Sequence, residues 1–145
     1  MLKSAPKILV VIIVLFSVSH ANVAFGTESP PLKPIERILN DESSEVIHLY
    51  VLTRCFALLT AMSAKLKQRG PSLTGMADET MQKATRLALS VIKVQPAEKV
   101  LKRAKEITQL YVKRWNRNQN ATGNQWGNLT MSDAKICNFI AEAKQ

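Results

Sequence analysis

Histidine is nearly missing from this sequence: His20 falls in the leading apolar stretch, and His48 is the only other one. One remaining histidine cannot build a His-based metal cluster or a triad that needs a second imidazole. Cysteine is as scarce. Cys55 and Cys137 form no Cys-x-x-Cys-His motif for covalent haem attachment. Noncovalent haem would need ligands on facing helices, yet His48 and Met62 fall on one helix, and Met76 and Met81 read as core. The acidic residues make no Asp-x-Asp-x-Asp-Gly calcium loop, and the five glycines make no phosphate-cradling loop. No internal repeat, sustained heptad or strand-like alternation is present. With no catalytic, metal or cofactor residue to nominate, the expectation is a protein that is not an enzyme and carries no cofactor.

What is there begins with an export pattern. Lys3 and Lys7 precede an apolar run from Ile8 to Phe16, and small residues then suit a signal peptidase cutting after Ala21 or Gly26. The run is about 10 residues long, against the roughly 20 that span a bilayer, which favours a cleaved signal over an anchor. No cysteine follows it to take a lipid. Export to the periplasm or the extracellular space is an oxidising destination, where two cysteines permit one intramolecular pairing. A Cys55 to Cys137 bond closes a long loop and stabilises the fold by about 4 kcal/mol in the chain-entropy treatment.

The expected organisation is a signal peptide over residues 1–26, a Pro-rich acidic leader over 27–43 and one helical domain over 44–145. Pro30, Pro31 and Pro34 keep the leader extended until a short helix carrying Ile35, Ile38 and Leu39, which either docks on the body or stays a mobile arm. A first long helix is predicted from about Ser44 to Gln68, stopped by Gly70-Pro71, with Leu52, Cys55, Leu59, Met62 and Leu66 on its inner stripe. His48 sits at the upper end of that stripe, while Arg54 falls well away from it. A second helix is predicted from about Gly75 to Val94, with Thr74 as its cap and Ala77, Met81, Ala84, Ala88 and Val91 inward. Gln82, Lys83, Arg86, Ser90 and Lys93 face outward. A third, from about Pro96 to Asn118, turns Val100, Ala104, Ile107, Tyr111 and Trp115 inward. The Asn, Gln and Gly residues from Asn116 to Asn128 predict a loop carrying Trp126 and the two glycosylation sequons at Asn120 and Asn128. A short last helix, signalled by Thr130-Met131-Ser132-Asp133, then brings Cys137 back to Cys55. The fold class is all-α, a small antiparallel bundle of three long helices plus a short C-terminal one.

Charge supplies the remaining functional signal. The formal net charge is +9, falling to +7 once Lys3 and Lys7 are removed, and the balance is uneven. Glu28, Glu36, Asp41, Glu42 and Glu45 make the leading segment acidic, whereas Arg54 to Arg117 carries most of the cations. Lys99, Lys102, Lys113 and Arg117, on the outer face of the third helix, are the candidate anion-binding residues. The partner is expected to be another protein or an anionic surface such as membrane, lipopolysaccharide or cell-wall polymer. Nucleic acid is not expected, because Tyr111 and Trp115 point inward rather than interleaving with the cations as a stacking platform requires.

Overall fold

The computed structural model describes residues 32–41 and 44–143; the expected signal peptide and its cleavage points lie outside them. Among the described residues there are five α-helices, one 3-10 turn and no strand. Helix α1 is Ile35–Asp41, α2 Glu45–Gln68, α3 Thr74–Ile92, α4 Ala97–Thr122 and α5 Gly127–Ala143. Short connections join α2, α3 and α4, so α2 and α4 run in the same direction and α3 is antiparallel to both. The described residues form one compact unit, to which α1 belongs.

Local chemistry sets most of the boundaries. Ser44 opens α2, its Oγ accepting from the Ile47 N–H at 3.3 Å. Gly70, at a φ of 131°, turns the chain out of α2, and Pro71 starts the 3-10 turn Pro71–Leu73. Helix α3 begins at Thr74 itself, so Thr74 is a helical residue rather than the cap, and Leu73 at the cap position provides no side-chain bond. Buried Ala77, Ala84 and Ala88 let α3 approach α2 closely enough for the Ser63 hydroxyl to donate to the Ala77 carbonyl at 2.7 Å.

Helix α4 presents the face expected of it, with Val100, Ala104, Ile107, Tyr111 and Trp115 all buried. It does not stop near Asn118. The helix continues to Thr122 and ends where Gly123 adopts a left-handed φ of 70°. The expected loop from Asn116 to Asn128 therefore shrinks to residues 123–126, and α5 starts at Gly127 rather than after Thr130. Asn120 and Asn128 both lie in helices, and Thr130 of the second sequon is buried, accepting from Trp115 Nε1 at 2.8 Å. Trp126 packs edge-on against Trp115 at 4.8 Å between ring centroids, with the Arg69 guanidinium over its ring.

The largest departure from expectation concerns α2. Every residue from Val51 to Ala61 is buried, so over its middle turns this helix is the axis of the bundle, packed all round rather than along a single inner stripe. By length and composition it could cross a membrane, but 67% of its apolar window is buried inside the bundle. Arg54, expected on an outer face, is fully buried, whereas His48, expected at the end of the inner stripe, is exposed. On α3, Lys83, Arg86 and Ser90 are half-buried rather than fully outward.

Candidate functional site

Two places concentrate chemistry. The first is a buried polar cluster linking four helices. Arg54 of α2 donates from Nη2 to Asp133 Oδ2 of α5 and from Nε to the Tyr111 hydroxyl of α4 at 2.8 Å. Tyr111 in turn donates to Asp133 Oδ2, and the Ile35 N–H at the start of α1 donates to Asp133 Oδ1 at 2.9 Å. Asp133 thus receives three donors from three different helices. Burial works against the Arg54 charge, but Tyr111 and Asp133 outweigh it and hold the guanidinium above its ordinary value. Burial also drives the Tyr111 phenol well above its usual range, which keeps it a proton donor.

Arg54, Tyr111 and Asp133 are each 0% exposed, so no substrate reaches this cluster from solvent. Its role is to fix the helices, and a covalent link lies beside it. Cys55 and Cys137 are at bonding distance, with their Cα atoms 5.1 Å apart, inside the span a disulfide requires. The ion pair and the sulfur pair join α2 to α5 through neighbouring residues, Arg54 with Cys55 on one side and Asp133 with Cys137 one turn apart on the other.

The second place is open to solvent. A groove of about 680 Å³ runs between the first turns of α2 and the first half of α4. Val46, Ile47, Leu49, Tyr50 and Thr53 line it from α2, and Val100 from α4. Its remaining lining is polar: Gln95, Lys99, Lys102, Arg103 and Glu106. Val46 is 75% exposed at its mouth. Arg103 lies over the Tyr50 ring at 5.7 Å and 3.6 Å from Glu106, so it is partly engaged within the protein. Lys99 and Lys102 make no ion pair among the described residues.

The groove separates the four candidate cations into two pairs. Lys99 and Lys102 line it, while Lys113 and Arg117 are exposed farther along α4, Lys113 being roughly 21 Å from Lys99 along the helix axis. The apolar side was missed in the sequence because Val46, Leu49 and Tyr50 fall off the single inner stripe assigned to α2. An off-stripe apolar run at the start of a helix was the available signal. Among the described residues, no group of three His, Cys, Asp or Glu side chains is placed to hold a metal ion. No protein-family model, curated protein or solved structure matches this chain.

Proposed function

We propose that this is an exported, non-catalytic protein of the periplasm or extracellular space that acts by binding another protein through the groove between α2 and α4. The observation that carries this reading is an open trough lined by Val46, Ile47, Leu49 and Tyr50, with Lys99 and Lys102, which make no ion pair among the described residues, along its α4 side. Binding through such a surface needs no reactive group, only apolar contact at the centre and charge at the rim. The export pattern around Lys3, Lys7 and Ile8 to Phe16 and the covalent tie between Cys55 and Cys137 support an oxidising location.

A second reading has its own observation. Lys99, Lys102, Lys113 and Arg117 are all exposed on α4, a line of positive charge suited to an anionic membrane, lipopolysaccharide or cell-wall polymer. Association of that kind weakens steeply with salt and does not depend on Val46.

The test is site-specific photocrosslinking in the native exported fraction, with the reactive residue placed at Val46 or, as a control, at exposed Gln119 on the far end of α4. A discrete protein adduct at Val46 and none at Gln119 supports recognition through the groove. Equal labelling at both positions, or none at Val46, removes the groove from the function.

A further inference from the structure

We infer that the occupant of the groove is a short amphipathic helix with an acidic flank, presented by a partner protein. The inference rests on the reading of the groove as the recognition surface and specifies what that surface recognises. Along α4 the lining runs from Lys99 to Glu106, about 10 Å, or two helical turns. An amphipathic helix needs only one face covered, and its side chains at i, i+3, i+4 and i+7 would meet Val46, Leu49 and Tyr50. An acyl chain or small ligand has the opposite requirement, since such molecules are held in sites that cover most of their surface. A trough open along its side leaves an acyl chain wet and a helix satisfied.

The sign of the partner's charge follows from the rim. Lys99 and Lys102 lie in the first turns of α4, where cations are disfavoured by the helix dipole, and they make no ion pair among the described residues. The positive ends of α2 and α4 lie at this same end of the groove, because the two helices run in the same direction. Glu45, Glu98 and Glu106 moderate the potential, and Glu106 is occupied by Arg103 at the other end. Acidic residues on the partner are therefore placed opposite Lys99 and Lys102 rather than spread along the trough.

The experiment is a methyl-NMR titration of the exported protein with its cysteine link intact. The probes are a synthetic helical peptide of about 12 residues with Leu on one face and Glu flanking it, the same peptide with Lys for Glu, and phosphatidylglycerol vesicles. The Glu peptide should shift the Val46, Leu49 and Val100 methyl signals, with the Lys peptide binding at least about tenfold more weakly. Replacing both rim lysines, K99Q with K102Q, should weaken the Glu peptide by about tenfold at low salt and by much less at high salt. Val46→Asp should abolish most binding while leaving the urea midpoint unchanged, because Val46 is exposed and a carboxylate suits the first turn of α2.

Equal binding of both peptides overturns the charge argument. Vesicles moving the same methyls while neither peptide does would replace the helix with a lipid surface. Concentration-dependent shifts without any probe would identify a second copy of this chain as the occupant. If neither peptide nor vesicles bind but the Val46 crosslink still captures one protein, the helix proposal fails and the groove reading stands; if the crosslink is also absent, both fail.

Discussion

Removing Asp133 should be among the most damaging single changes in this protein, more so than removing its ionic partner. In Asp133→Ala the Arg54 guanidinium stays at 0% exposure with only its Nε bond to Tyr111, since Nη1 already has no partner. The Tyr111 hydroxyl and the Ile35 N–H lose their acceptor in the same step. Breaking one side of a buried ion pair costs about 3–5 kcal/mol, and the two orphaned donors place this variant near the upper end. Arg54→Met is milder, about 3 kcal/mol, because Asp133 keeps two of its three donors and the methionine fills most of the vacated space. Replacing the cluster outright, in a variant combining R54M, Y111F and D133L, leaves only the Ile35 N–H without its acceptor. That triple variant should lie within about 2 kcal/mol of the native protein, far from the sum of the single losses.

Urea unfolding followed by helical circular dichroism and tryptophan fluorescence measures all three, with the cysteine link intact in each. At roughly 4 °C per kcal/mol for a domain of this size, D133A should melt about 16 °C or more below the native protein. Hydrogen exchange adds a readout specific to geometry: residues 35–41 should lose protection in D133A and in the triple variant but not in R54M. The reasoning is refuted if D133A costs less than about 1 kcal/mol, or if the single losses add up in the triple variant.

Three further outcomes follow from other parts of the fold. Intact mass of the exported protein should match cleavage near Ala21 or Gly26 with two hydrogens missing, and the variant C55A with C137A should lose about 4 kcal/mol, since the link spans 82 residues; free thiols in that fraction would refute the pairing. Stability should fall as pH rises above about 10, because the unfolded chain then releases the Tyr111 proton that burial retains in the native state, whereas below that pH the contribution is intact. Lys83, held above its ordinary value by its hydrogen bond to Glu79 and by Glu142, acts in the same direction, so Y111F and K83Q should each flatten the alkaline decline in urea midpoint. Gly127→Ala should cost about 2 kcal/mol, as Gly127 has a φ of 64° and an added methyl meets the Asn118 side chain, while Gly75→Ala in open space on α3 should stabilise by about 0.5 kcal/mol; calorimetry of the pair checks the contrast.

The helices that pack on one side only were legible in the sequence. Helix α4 has one neighbouring surface, so its residues at spacings of three and four from Val100 to Trp115 reach the core as their angles require. Helix α3 is close to that case, and its alanines correctly signalled a tight approach to α2. The end of α4 was less legible because Asn and Gln lower helix propensity by tenths of a kcal/mol each, which a helix anchored by buried Tyr111 and Trp115 overrides. Gly123, with its left-handed backbone, was the effective stop signal.

Helix α2 violates the assumption behind an angular reading. A wheel assigns one buried face, but α2 is packed by α1, α3, α4 and α5, so angle carries no information about exposure over its middle turns. A charged residue there must be paired or very costly, and the apolar run around Arg54 was itself a reason to look for its counter-ion. The cysteines point to it. Joining Cys55 to Cys137 brings Arg54 to the same part of α5 as Asp133, which lies one helical turn before Cys137. Asp133 instead read as part of a helix start, because the Thr130-Met131-Ser132-Asp133 pattern is locally indistinguishable from a cap. Read together, the expected cysteine link and an arginine in an apolar run could have placed Asp133 in the core, and with it the residue that ties α1, α2 and α4 to α5.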